Sequence, residues 1–250
     1  MDTALYVSLA HRSALKRKMD VVAHNIANMN TTAFKKEQVL FKEYLMDAPG
    51  TITGKVASVI DYGVSRTMTE GNLVNTGNNF DIFISGKAFL SVEGKNGDTQ
   101  YTRNGRLSLD NERYITLLSG ERVLDDSGSP IQLEEEERDI IIAKDGTLSV
   151  TNVDGQAEEK GKLGFKIFEN LGAMKRLGTS LYRTNEIGAD PEPDELRVTQ
   201  KAIESSNVNA IEEITKMIDI QRAYERSGKN TNSYEDMRKD SLNRLAKVSG

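Results

Sequence analysis

The chain has 250 residues, 33 basic and 38 acidic side chains, a formal net charge of −5, and no cysteine or tryptophan. Those totals exclude a disulfide scaffold and any thiolate metal or redox site, and the acidic balance argues against nucleic acid as the main partner. The charge is uneven: residues 1–50 carry 7 basic and 5 acidic side chains and residues 200–250 carry 9 and 8, so the acidic excess lies in the middle and the near-neutral ends suit association.

In chain order, residues 1–36 form the first segment, an N-terminal helix expected over Thr3–Asn28 and the short motif that follows it. Leu5, Leu9, Leu15, Met19, Val22 and Ile26 recur at three- and four-residue steps, one apolar seam interrupted once by Arg12. Asp2 is placed to cap the start, and Asn28 and Asn30 to end it, because Asn tolerates the left-handed conformation. No run of about 18 apolar residues occurs, so no transmembrane helix is expected. The N-terminus lacks the apolar stretch and cleavage site of a secretory signal, so none is expected.

Residues 37–70 read as a connecting segment. Val39, Leu40, Phe41, Tyr44 and Leu45 suggest a short helix ended by Pro49-Gly50, followed by an extended stretch punctuated by Gly54 and Gly63. From residue 71 the period changes. Short runs rich in β-branched and aromatic residues, from Phe80–Ile84 through Ser180–Arg183, alternate with Asn104-Gly105, Asp145-Gly146 and similar pairs. Such pairs supply the positive φ that tight hairpins need, so residues 71–186 read as an all-β domain. Residues 187–205 read as a linker held extended by Pro191 and Pro193. A second helix occupies 206–250, capped by Asn209, with Glu212 and Glu213 favourable in its first turn. Its seam is Ile211, Ile214, Ile218, Gln221 and Glu225, flanked by Met217, Ile220 and Tyr224. The fold class is therefore α+β: long terminal helices, packing as a coiled-coil-like layer, around an inserted all-β domain.

Chemistry-bearing patterns are sparse. His11 and His24 are thirteen positions apart, unlike a metal-binding pair on adjacent helical turns. The run Glu134 to Glu137 reads as a solvated loop in preference to a cation site. Neither a phosphate-binding G-x-x-x-x-G-K-[ST] nor a nucleophile elbow occurs. No catalytic residue, metal site or cofactor is expected, and no small-molecule substrate. The alternatives to a self-associating structural protein are a hydrolase using an acidic pair on the β domain, which no spacing singles out, and a closed coiled-coil dimer.

Three motif groups carry a resemblance. Asp2-x-x-Leu5-Tyr6-Val7 with Asn25-Ile26-Ala27-Asn28-x-x-Thr31-Thr32-x-Phe34-Lys35 forms the first. Gly71-x-Leu73, Asp81-x-x-Ile84-x-Gly86 and Tyr101-Thr-Arg-Asn-Gly105 form the second. Glu204-Ser-Ser-Asn207-Val208-Asn209 with Met217-Ile-x-x-Gln221-Arg222-x-Tyr224-Glu225 forms the third. Together they resemble the bacterial flagellar rod and hook proteins, in order and over nearly the whole chain. The opening as far as Leu9 resembles the proximal-rod branch, with the distal rod and hook-type paralogues as alternatives. His24 stands where that family usually has Asn, and Ala33 where it has Gly, so the turn either avoids a positive φ or carries strain.

The resemblance implies a structural component of the flagellar basal-body rod, crossing the periplasm, that transmits torque. Its implied partners are copies of itself, other rod proteins and the flagellar type III export apparatus, without nucleic acid. The implied assembly interface comprises Leu5, Leu9, Leu15, Met19, Val22, Asn25, Ile26, Asn28, Thr31, Phe34, Val208, Ile211, Ile214, Ile218, Gln221 and Tyr224.

Overall fold

A computed structural model describes residues 2–47, 55–135, 137, 139–151, 156–178 and 180–248, with side chains within these except at 2–6, 45–47, 55–59, 242 and 245–248. Two compact units emerge. One comprises Met1–Ala27, Glu37–Thr67 and Asn209–Gly250, the other Asn28–Lys36 and Met68–Val208.

The first is a helix–hairpin unit. Helix α1 spans Asp2–Ala27 and helix α2 spans Ala210–Val248. Between them in sequence lie strands β1 (Glu37–Asp47) and β2 (Lys55–Arg66), paired antiparallel from Glu37↔Arg66 to Asp47↔Lys55 with a bulge at Leu40/Phe41. The short helix expected over Val39–Leu45 is therefore a strand. Burial alternates residue by residue from Glu37 to Lys42: Glu37, Val39 and Phe41 are half-buried, Gln38, Leu40 and Lys42 exposed. A period of two fits a ladder and no helix. Pro49-Gly50 and Gly54 fall outside the described residues.

The second is a β unit. Its strands are β3 (Leu73–Asn75), β4 (Ile82–Gly86), β5 (Phe89–Glu93), β6 (Thr99–Thr102), β7 (Leu107–Leu109), β8 (Ile115–Leu117), β9 (Arg122–Val123), β10 (Asp139–Ile142), β11 (Thr147–Thr151), β12 (Ala157–Lys162), β13 (Phe165–Lys166), β14 (Lys175–Arg176), β15 (Leu181–Arg183), β16 (Leu196–Gln200) and β17 (Ala202–Glu204). The largest sheet runs β14-β15-β6-β5-β9-β8-β7, with β13 also on β5; β10-β11-β12 form another, and β16-β4 and β17-β3 pair separately. All described ladders are antiparallel; tight turns join neighbours such as β5–β6, β7–β8 and β10–β11, while β16-β4 and β17-β3 pair residues more than a hundred positions apart.

The core of this unit gathers Ile82, Ile84, Leu90, Val92, Leu148, Val150, Phe165 and Val198. Beside it an aromatic cluster packs Phe89 edge-on to Phe168 and Tyr182, with centroids 6.0 and 5.8 Å apart. The expected linker needs correction. Leu196 and Val198 are buried, β16 pairs with β4, and β17 pairs with β3, so residues 196–204 complete the β unit. Only the stretch around Pro191 and Pro193 remains irregular.

Candidate assembly interface

Within the helix–hairpin unit, α1 and α2 run antiparallel. Ser8 bonds Thr231 (2.6 Å), His11 approaches Ser227 (3.5 Å), Arg12 donates to the Tyr224 hydroxyl (3.2 Å), and Asn25 reaches Glu213 (2.9 Å). The face α2 turns to its own chain thus includes Glu213, Met217, Ile220, Tyr224, Ser227 and Thr231, steps of three and four that mix apolar and polar side chains.

Asn25 fixes the end of α1. Its Nδ2 donates to the Glu37 carbonyl (2.8 Å) and Glu213 Oε2 (2.9 Å), and its Oδ1 accepts the Glu37 N–H (2.9 Å). One buried amide thereby ties α1 to the first residue of β1 and the first turn of α2. Glu37 also takes His24 Nδ1 (3.2 Å) and Arg66 Nε (3.3 Å). Asn209 caps α2 as expected: its Oδ1 accepts the N–H of Ile211 (3.1 Å) and of Glu212 (3.3 Å). Glu212 pairs with Lys216 at 2.7 Å.

The expected interface residues divide by burial. In α1, Leu15, Val22 and Asn25 are buried, Met19 and Ile26 half-buried, and Leu9 exposed; the Leu5 side chain lies outside the described residues. In α2 the seam lies on the outer face. Ile211, Ile214 and Ile218 are 79%, 47% and 45% exposed, and Gln221 is exposed; Tyr224, half-buried, belongs to the inner face. Sequence reasoning missed a further apolar surface in this unit. Leu40, Tyr44, Ile60 and Tyr62 stand exposed on the hairpin, with the Lys42 ammonium 5.9 Å from the Tyr62 ring centre.

The remaining expected residues belong to the β unit. The turn after α1 closes with Thr31 N–H on the Asn28 carbonyl (3.1 Å) and Thr31 Oγ1 on Asn28 Oδ1 (3.2 Å). Ala33 takes a positive φ of 55°, so the turn is of the strained kind. Phe34 is buried, its ring 5.7 Å from the Arg176 guanidinium, while Asn28, Thr31 and Val208 are half-buried. Ala33 donates its N–H to the Glu204 carbonyl (2.9 Å) and Asn207 donates its own to the Phe34 carbonyl (3.3 Å).

Next to Phe34 the motif residues of all three groups meet in a buried charge network. Lys35 Nζ lies 2.6 Å from Glu204 Oε1, and Arg103 Nε 2.9 Å from Glu204 Oε2, with side-chain exposures of 0%, 3% and 1% for Lys35, Arg103 and Glu204. Backbone carbonyls take further donors. Lys35 also donates to the Thr69 carbonyl (2.8 Å) and Arg103 to the carbonyls of Ile84 and Gly86 (2.6 Å each) and Ala88 (3.2 Å). Gly71 donates its N–H to Glu204 at 2.8 Å, and a Cβ there would stand 1.9 Å from the Ser205 carbonyl oxygen. Burial pushes the Lys35 ammonium below the usual lysine range; Glu204 opposes that push and Arg103 adds to it.

The acidic run has a partner in the chain: Lys160 Nζ lies 2.6 Å from Glu137 and 2.9 Å from Glu134, and these bonds hold its pKa well above the usual range. Among the described residues no group of three His, Asp or Glu is arranged to hold a metal ion, and no helix is long and apolar enough to cross a membrane.

Comparison with known proteins follows this architecture. Three family models match in chain order: Flagella basal body rod protein over residues 6–35, Flagellar hook protein FlgE/F/G D1 domain over 83–150, and Flagellar basal body rod FlgEFG protein C-terminal over 199–245. The flagellar basal-body rod protein FlgF of Caulobacter vibrioides is 35% identical over 99% of this chain and 100% of its own length. FlgF of Rhizobium meliloti is 32% identical over 90% of each. FlgG of Bacillus subtilis is 27% identical over 97% of this chain and 99% of its own, so the similarity to these FlgF proteins is the stronger, as the opening motif implies. With terminal helices, a β unit between them and relatives matched end to end, the chain belongs to the flagellar basal-body rod protein family and is a structural component of the basal-body rod of the bacterial flagellum.

Proposed function

We propose that the helix–hairpin unit is the self-associating part of this rod protein, packing against copies of itself and against neighbouring rod proteins in the proximal rod. One observation carries the reading. Ile211, Ile214 and Ile218 follow one another at helical spacing and are exposed on a helix whose opposite face is already bonded to α1. An apolar stripe on a helix already packed on one side marks an interaction surface, and Leu9 on α1 and the hairpin face add to it. Leu15, Val22 and Asn25, buried inside the unit, act by holding its elements in place. Contacts between unlike surfaces whose rotation does not close a ring extend into a helical filament. Such a filament, clamped along its length, carries torque. The flagellar type III export apparatus is a further partner in this reading, engaged by the chain before it assembles.

The test replaces Ile218 by Asp. At 45% exposure the monomer tolerates the charge, with stability changed by about 0.5 kcal/mol or less. In the assembled rod the same carboxylate loses its water, a cost of several kcal/mol. Rod assembly and swimming are expected to fail while the purified monomer keeps its melting temperature. Normal swimming and normal rods would overturn the reading. Sedimentation of wild-type protein as a closed dimer that adds no further copies would favour the coiled-coil dimer.

A further inference from the structure

We infer that Phe34-Lys35 is a charge-keyed latch: the strap Asn28–Lys36 closes onto the β unit only when Glu204 is in place to receive Lys35. Three features of the site support this. The lysine side chain is fully buried and Glu204 is its only carboxylate within 4 Å among the described contacts. Glu204 is divided between two cations, one oxygen on Lys35 and the other on Arg103. The strap's backbone bonds run to the same short segment, Ala33 to the Glu204 carbonyl and Asn207 to the Phe34 carbonyl, and the Asn207 side chain accepts the Lys36 N–H at 2.7 Å.

The partners are 169 residues apart in sequence, so the latch is among the last contacts that a chain laid down from its N-terminus can make. Until residues 203–207 arrive, Arg103 has no carboxylate on its Nε and the strap has neither its ion pair nor its backbone partners. An incomplete or unfolded chain therefore presents Asn28–Lys36 to solvent, and a completed β unit sequesters it. The strap thereby reports completion of the β unit.

The charge arrangement predicts an ordering that simple packing does not. Removing Lys35 leaves Glu204 still paired with Arg103. Removing the Glu204 charge leaves two buried cations with only the partly exposed Glu70, 3.7 Å from Arg103 Nη2, to offset them, the worse outcome. The measurement is amide hydrogen exchange on the full-length monomer at low concentration, read at Ala33 and Asn207, with Val150 in β11 as the control. Lys35→Met should speed exchange at Ala33 and Asn207 at least tenfold and leave Val150 unchanged. Glu204→Gln should speed it more, and the double variant should exchange more slowly than Glu204→Gln alone, because deleting the second cation relieves the first. Unchanged exchange in Lys35→Met would overturn the latch and leave the strap held by Phe34 and backbone bonds alone. Additive effects in the double variant would overturn the charge key. Should Glu204→Gln fail to fold, Lys35→Met and the double variant still decide the matter.

Discussion

Ala33 shows how far single residues were legible. The family turn usually has Gly at this position, and an Ala there raised the question of strain; the structure answers with φ 55° and a buried methyl. A left-handed L-residue costs roughly 1–2 kcal/mol, while Gly adds unfolded freedom worth roughly 0.4–1 kcal/mol. Ala33→Gly should therefore leave stability unchanged or raise it by up to about 1 kcal/mol, read as the thermal midpoint of the β unit. A clear drop would mean that the buried methyl contributes more through packing than its backbone costs in strain. Lys35, Arg103 and Glu204 were each visible as motif members, but nothing in their types announced a buried network. Charged side chains are ordinarily solvated, and which of them pair inside depends on contacts more than a hundred residues apart.

At the scale of elements, the periodicity of α2 contains two apolar stripes. Sequence reasoning took Ile211-Ile214-Ile218 as the seam, flanked by Met217, Ile220 and Tyr224; in the structure the first stripe is exposed and the second half-buried. The second stripe, Met217, Ile220 and Tyr224, lies on the inner face, where the side-chain bonds Glu213 to Asn25, Ser227 to His11 and Thr231 to Ser8 run beside it. Hydrophobic periodicity does not register those hydrogen bonds. The β1–β2 hairpin was missed for a different reason. A short apolar run such as Val39–Leu45 fits either element until its partner strand is known. The turns of the β unit were legible, and Asp145-Gly146 is one that can be tested. Asp145 accepts the Thr147 N–H (3.2 Å) and hydroxyl (2.9 Å), Gly146 has φ 88°, and these bonds hold the Asp145 carboxyl below its usual range, the backbone one foremost. A carboxyl with a depressed folded pKa stabilises above its unfolded value near 3.8 and loses that contribution as pH falls through the folded value. Acid titration followed by NMR should show Asp145 titrating below 3.8, with the β10–β11 amides losing protection over the same range. In Asp145→Asn that acid step should be absent, and its persistence would assign the step to another group.

The arrangement of helical ends around a β-rich middle was readable from the change of period alone. The interleaving of the two units was not. The chain passes between them after residues 27, 36, 67 and 208, and the strap of one unit lies in sequence between α1 and β1 of the other. Their cores differ sharply. The β unit buries a continuous cluster from Ile82 to Val198, whereas the described side chains of the helix–hairpin unit contribute only Leu15, Val21 and Val22 to the fully buried apolar set. Two long helices fixed over so little apolar burial are marginal in water, and regions with few buried contacts open first. Calorimetry of the dilute full-length monomer should therefore show two transitions, with the helix–hairpin unit unfolding at the lower temperature. Amides along α2 should exchange faster than those of β5. Assembly covers the Ile211-Ile214-Ile218 stripe, so the lower transition should rise and α2 gain protection in isolated rods, because a contact made only by the folded unit shifts its stability by mass action. A single cooperative transition in the monomer, with α2 as protected as β5, would mean that the terminal helices draw their stability from their own chain and that assembly adds none.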